Sequence, residues 1–376
     1  IGFVGQCSSL VVKKLKGRDI YDNLCPELLR DKGSLPALLY LSLEAISLLV
    51  RYHYSYLEEL QKDGLLHKIY FDECHTLLSE LNFRLNFHSL AKLAGLNVPM
   101  MVLSGSFQQC FVRNFLYFMF GSEDLSEYNL FIDKKILGNT LLKIGHFPST
   151  DYVDDCCTNV MKYLEDNCTT NVHVIVATID EGTKVYEKIK KCYSGSCAFI
   201  YSGSKDQDVI AQKWKENDIR VLISTTLGLV GNESINTQLV CIVGLLYNIP
   251  SIVQSMGRIR PMRRTKHSSV LIFTGQNYSS QLKCAEENSW KAYDELVGCN
   301  LVSKSMERDY FRSMSQLSVN NWLFNDTGCR LVSLAKRLGY QQKKCNLCDV
   351  CTNTHVKKAS ICKTIQSNQS NQHKNN

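Results

Sequence analysis

Proline and tryptophan are scarce in this chain, at 6 and 3 residues among 376. With only 21 glycines besides, the composition excludes a collagen-like repeat and a broadly disordered architecture. Long apolar runs are missing too. The strongest, Leu239 to Tyr247 (LVCIVGLLY), is cut by Asn248 and Pro250, whereas a membrane-spanning helix needs about 20 apolar residues. That run reads as a buried strand, and no membrane partner is expected. No secretory signal is visible, so the 17 cysteines are expected to be reduced thiols with one metal site among them.

What is present is an ordinary globular composition, 44% hydrophobic, with 43 Lys and Arg against 36 Asp and Glu for a net charge of +7. That moderate excess is compatible with an anionic partner. At about 150 residues per domain the length corresponds to about two and a half domains. Short apolar runs recur at 38–42, 68–71, 100–105, 172–178, 197–203, 220–225, 239–244 and 269–273. They read as buried strands and alternate with helical patterns at 43–62, 111–120 and 183–192. This alternation predicts α/β architecture with parallel sheets. The strand series pauses around Leu130 to Asp155, which predicts two sheets and a boundary near His146 to Pro148. The expected domains are residues 1–146, 147–280 and 281–355, followed by a disordered polar tail, 356–376.

The sharpest chemical signal is KIYFDECHTLL (68–78), where a strand ends in Asp72 and Glu73. Carboxylates at the carboxyl edge of a parallel strand lie where α/β proteins bind ligands. In nucleotide hydrolysis the first would hold Mg²⁺ and the second would orient or deprotonate the attacking water. A solvated acidic pair has the same sequence. Cys74 and His75, adjacent on a turn, are a poor metal or nucleophile pair. Further on, MMVLSGS ends in Ser104, Gly105 and Ser106, an ordinary turn when taken alone.

In the second half, RVLISTTLGLVGNE (220–233) leads from a strand into a loop holding Thr225, Thr226 and Gly228. Hydroxyls, amides and glycine suit close approach to a phosphate backbone. IPSIVQSMGRIRPMRR (249–264) then brings Gln254, Gly257, Arg258, Arg260, Arg263 and Arg264. Arginine's planar fork can stabilise charge on a transferring phosphoryl group or contact nucleic-acid phosphates. A solvated basic helix face is the alternative. In order, these segments resemble the DExH box, the SAT-like motif, motif V and the QxxGR core of motif VI of superfamily 2 helicases.

The last signal is Cys329-x15-Cys345-x2-Cys348-x2-Cys351, four soft ligands at spacings suited to tetrahedral structural Zn²⁺. Cys329-Arg330, Leu334, Leu338-Gly339-Tyr340 and CxxCDxC closely resemble the zinc-binding subdomain of RecQ-family DNA helicases. LLYLSLEAIS (38–47) and Phe83-Arg84 extend the likeness. The resemblance implies two RecA-like lobes, the first truncated, followed by a small helical zinc-binding subdomain that braces the second lobe. It implies a 3′-to-5′ unwinding motor that uses ATP and Mg²⁺ on DNA, single-stranded or duplex with a single-stranded tail, in recombination and repair. Asp72, Glu73, His75, Gln254, Arg258 and Arg260 would be catalytic. Ser104, Gly105 and Ser106 would couple nucleotide state to strand movement. Arg84, Thr225, Thr226, Gly228, Arg263 and Arg264 would contact nucleic acid. A nuclear location is expected in a eukaryote, and the cytoplasm or nucleoid otherwise.

Three departures qualify this picture. No GxxxxGK[ST] phosphate loop occurs in the chain. The family carries that loop before the LLY segment, and the chain starts at Ile1, too late to include it. An incomplete chain with severely compromised ATP affinity is the expectation, and an inactive remnant or a zinc-organised scaffold is the alternative. The loop after DECH, TLLSELNFR, is shorter than the family's and lacks its tryptophan. Pro261 stands where a second motif VI arginine is expected, leaving Arg260 or Arg263 to substitute.

Overall fold

The computed structural model describes residues 41–80, 85–122, 124–131, 142–167, 169–225, 234, 236–244, 246, 248–259, 268–278, 318–325 and 327–352. The chain divides into two compact units, Ile1–Leu130 and Phe131–Asn376.

In the first unit, helix α1 (Leu43–Lys62) begins where Ser42 accepts a hydrogen bond from the Ala45 amide at 3.2 Å, satisfying one orphan N–H of the first turn. The expected strand at 38–42 therefore does not reach its last residue, because Ser42 is this N-cap. Residues 38–40 lie outside the described set. Strand β1 (Ile69–Phe71), helix α2 (His75–Glu80), strand β2 (Met100–Val102) and helix α3 (Val112–Phe120) follow. β1 and β2 pair in parallel, Ile69 opposite Met100. Leu49, Val50, Leu57, Phe71, Leu77, Leu90 and Phe115 form the core that fixes this pair against α1 and α3.

Among the described residues, the second unit is built on six strands, β3 (Leu142–Ser149), β4 (Asn171–Val176), β5 (Cys197–Ile200), β6 (Val221–Thr225), β7 (Thr237–Val243) and β8 (Ser268–Gly275). Their order is β3-β8-β7-β4-β6-β5, and every pairing is parallel. β4 and β7 are buried along their whole length, the signature of a sheet covered on both faces. Helices α4 (Tyr152–Asp166) and α5 (Ile179–Cys192) cover one face through Cys156, Val160, Leu164, Val185 and Ile189. Helix α7 (Ile249–Met256), a short helical segment containing Trp322, and helix α8 (Arg330–Arg337) pack with the core of the other face. Helix α6 (Gln207–Lys215) buries Trp214 with Ile200, Ile219 and Leu222.

The boundary expected near His146 to Pro148 falls inside β3, which pairs along its length with β8. The compact units divide after Leu130 instead. The sequence marks β3 only weakly, because Lys143, Gly145, His146 and Pro148 interrupt its apolar residues and leave only the alternation of Leu142 and Ile144 to indicate a strand.

Candidate functional site

The DECH residues lie at the carboxyl end of β1, joined to the carboxyl end of β2. The Leu103 amide donates to the Phe71 carbonyl at 2.8 Å, and the Cys74 amide donates to the Leu103 carbonyl at 2.9 Å. These two bonds continue the parallel ladder past the strands. They bring the two loops together.

Asp72 and Glu73 are exposed, whereas Cys74 and His75 are buried. Glu73 adopts φ +49°, a left-handed conformation uncommon outside glycine. Its amide donates to Asp72 Oδ1 at 2.9 Å, and its carbonyl accepts from the Thr76 amide at 2.9 Å. His75 Nδ1 lies 2.8 Å from Ser104 Oγ, 3.3 Å from Ser106 Oγ and 3.2 Å from Glu73 Oε2. The Ser106 amide donates to Ser104 Oγ at 3.2 Å. Two segments that the sequence read separately thus meet at one imidazole. Gly105 lies at the exposed tip between the two serines. Burial first, then the Glu73 charge, pushes the Cys74 thiol up to about 12. It is a packed thiol and no nucleophile.

In the second unit, Thr225 is the buried last residue of β6. α7 is capped by Asn248, whose Oδ1 accepts from the Ser251 amide at 2.8 Å, and it carries Pro250 in its first turn. Gln254 lies on α7, and Arg258 follows the helix, its amide donating to the Ser255 carbonyl at 3.1 Å. Arg84, Thr226, Gly228, Arg260, Arg263 and Arg264 lie outside the described residues.

Two features on this side had no counterpart in the sequence reading. His173 on β4 is fully buried, with Nε2 2.8 Å from Ser224 Oγ and its ring 5.6 Å from that of Trp214. Burial, reinforced by the Arg258 charge, holds its pKa down at about 3. The second feature is Glu181. Its carboxylate closes a capping box with Thr178 at the start of α5 and accepts the Tyr152 hydroxyl at 2.7 Å. Gly244, at φ +80°, passes so near that a Cβ there would lie 2.6 Å from Glu181 Oε1. Only glycine fits.

The four cysteines converge, their Sγ atoms all lying within 4.8 Å of one another. A tetrahedral Zn–S₄ centre with bonds of about 2.3 Å needs sulfurs about 3.8 Å apart, so the cluster fits Zn²⁺. Amide donors already point at the sulfurs: Cys345 N to Cys329 Sγ at 3.3 Å, Cys348 N to Cys345 Sγ at 3.3 Å, and Arg330 N to Cys348 Sγ at 3.4 Å. Burial raises the Cys329 thiol, but amide and thiol donors outweigh it and bring it down to about 7. Burial and neighbouring thiols push Cys345 up to about 11 and Cys351 up to about 12. Metal binding requires these thiols as thiolates, so their loading would release protons and depend on pH.

A buried ion pair fastens this cluster to the sheet. Arg330 grips Asp349 and also donates through Nη1 to the Trp322 carbonyl at 2.6 Å and the Leu323 carbonyl at 2.8 Å. The Asp349 amide donates to the Ile144 carbonyl at 2.9 Å, and the His146 amide donates to Asp349 Oδ2 at 3.2 Å. The sequence showed both charges beside the cysteines. That they are buried and paired could be read only from the fold.

These features define a RecA-like parallel-sheet fold of the kind helicase carboxyl lobes carry, with a four-cysteine cluster on one edge. Residues 155–261 match the family described as Helicase conserved C-terminal domain. Among solved structures, Mss116p bound to ssRNA and AMP-PNP superposes with a TM-score of 0.50 at 11% identity, covering 77% of this chain and 64% of that one. The Mycobacterium smegmatis helicase Lhr bound to ssDNA and AMP-PNP gives 0.49 at 14%, covering 74% of this chain and 35% of that one. The chain thus spans just over a third of one of these helicases and just under two thirds of the other. No curated protein matches it in sequence. The domain match lies within the second unit, and what the chain shares with Mss116p is the fold.

Proposed function

We infer that the chain is part of a RecQ-like superfamily 2 DNA helicase that couples ATP hydrolysis to 3′-to-5′ unwinding. The observation that carries this reading is the contact of His75 with Ser104 and Ser106. A hydrolysis box and a hydroxyl-bearing loop joined through one side chain are what transmission of nucleotide state requires. Asp72, exposed at the strand end, would hold Mg²⁺ through its carboxylate. Glu73 would activate the attacking water, and Arg258 would stabilise charge on the γ-phosphate. Bound Mg²⁺ and ATP supply the phosphoryl chemistry. The protein's part is to hold Glu73 near His75, so that its carboxylate and the Ser104 loop move together. Thr225 and the segment after it would contact the DNA backbone, and Zn²⁺ in the cysteine cluster would brace the sheet.

In the longest encoded form of the protein, Glu73→Gln should abolish DNA-stimulated release of phosphate from ATP and leave affinity for a single-stranded oligonucleotide unchanged. Unaltered turnover would remove Glu73 from its role. A second reading, a nucleic-acid-binding remnant or zinc-organised scaffold without turnover, is favoured by Pro261, which stands where the second motif VI arginine is expected. That reading predicts oligonucleotide binding with no phosphate release in the unsubstituted protein.

A further inference from the structure

Among the described residues, three that are not glycine have positive φ, namely Glu73, Asn217 and Asn346. Asparagine tolerates the left-handed region, and glutamate has no comparable preference. Glycine would take this place without strain. A strained glutamate therefore points to a side chain needed for its chemistry.

The turn at Glu73 follows from how the chain is held around it. Leu103 grips both sides of the Asp72–Glu73 dipeptide, its amide on the Phe71 carbonyl and its carbonyl on the Cys74 amide, and helix α2 starts at His75. The chain must pass from strand to helix within 72–74, and Glu73 takes up the reversal at φ +49°. Such a conformation persists only where its surroundings over-determine it. Asp72 Oδ1 accepts the Glu73 amide at 2.9 Å. On the other side, the Glu73 carbonyl accepts twice from Thr76, from the amide at 2.9 Å and from the hydroxyl at 2.8 Å. Any residue but proline could give the amide bond, whereas the second bond needs a hydroxyl at this position.

We propose that Thr76 is a positioning residue for Glu73. Its hydroxyl fixes the Glu73 carbonyl and with it the left-handed backbone that aims the carboxylate. From that backbone Glu73 Oε2 lies 3.2 Å from His75 Nδ1, the nitrogen that also meets Ser104 Oγ at 2.8 Å. Without the hydroxyl bond the turn relaxes, and the carboxylate swings away from the place where it would orient water. This rests on the helicase reading of Glu73, which phosphate release by the unsubstituted protein tests separately.

The experiment uses the longest encoded form of the protein with Thr76→Val, which removes the hydroxyl and keeps the branching, and Thr76→Ser, which keeps the hydroxyl. In DNA-stimulated phosphate release, Thr76→Val should lower kcat by about 10- to 100-fold, the order of loss that a misplaced catalytic group brings. The KM for ATP and the affinity for a single-stranded oligonucleotide should be unchanged. Thr76→Ser should restore kcat. Unchanged kcat in Thr76→Val, or an equal loss in Thr76→Ser, overturns the proposal.

A second readout needs no turnover. Glu73→Gly and Glu73→Ala both remove the carboxylate and differ in their tolerance of positive φ, so the glycine variant should unfold at the higher denaturant concentration. Adding Thr76→Val to each should narrow that gap, because the turn is then no longer held left-handed. A gap that persists in full overturns the proposal. If the unsubstituted protein releases no phosphate, the helicase reading fails and this comparison decides alone, a narrowed gap sustaining the hold of Thr76 on the Glu73 backbone and a full gap removing it. If Thr76→Val does not fold, Thr76→Ala takes its place in both measurements.

Discussion

Arg330 and Asp349 meet as a two-pronged ion pair inside the second unit, Nε 3.1 Å from Oδ1 and Nη2 3.2 Å from Oδ2. Only 2% and 6% of their side-chain surface is exposed. Because Arg330 Nη1 also serves the Trp322 and Leu323 carbonyls, the guanidinium joins the helical segment, the cysteine loop and, through Asp349, strand β3.

Removing one member of such a pair strands the other charge in a dry environment. Arg330→Met should therefore cost about 3–5 kcal/mol, read as a lowered midpoint in chemical denaturation. Arg330→Lys should recover only part of it, because an ammonium cannot reproduce the planar fork. A cost within about 0.5 kcal/mol for Arg330→Met, the size of an ordinary surface change, would show that the pair does not fasten the module.

Zinc content follows from the cluster geometry. The purified chain should hold one zinc ion, and Cys348→Ser, which replaces the most deeply buried of the four ligands, should lose it and lower the unfolding temperature. Metal analysis checks the first outcome and thermal melting the second.

His173 sets a pH dependence. Its folded pKa of about 3 lies below the ordinary value of 6.5, so the unfolded chain takes up a proton that the folded chain refuses. The stability it contributes is fully present above pH 6.5 and is lost as pH falls towards about 3. Each tenfold loss of proton affinity on folding corresponds to about 1.4 kcal/mol, so the whole effect is about 5 kcal/mol. Melting temperature measured from pH 7 to pH 4 should fall less steeply in His173→Gln than in the unsubstituted protein. Equal slopes would count against this assignment.

The His75 contact gives a separable prediction. Ser104→Ala with Ser106→Ala should leave DNA-stimulated phosphate release in place while strand separation falls by about 5- to 150-fold, the range of a coupling free energy of about 1–3 kcal/mol. Equal losses of turnover and unwinding would mean that the serines serve hydrolysis itself.

Much of this fold was legible from local pattern. The period of apolar residues over 43–62 gives α1 to the residue, and the uninterrupted apolar runs give β4, β6 and β7, whose burial on both faces leaves no polar face to confuse the reading. β3 was not legible, since an edge strand containing Gly145 and Pro148 lacks such a run. The site shows the same division. Asp72, Glu73, His75 and the serines lie in short segments whose residue types state their chemistry, and only the parallel register of β1 with β2 brings them together. His173, Arg330 and Asp349 were not legible, because a lone histidine and charges beside cysteines look solvated until their burial is known.

The most direct test of the helicase reading is phosphate release from ATP by the longest encoded form of the protein, measured with single-stranded DNA and single-stranded RNA of the same sequence as activators. The account predicts that DNA stimulates release, that RNA does so far less, and that Glu73→Gln abolishes the stimulation. Release stimulated by RNA alone, or by neither strand, would contradict it.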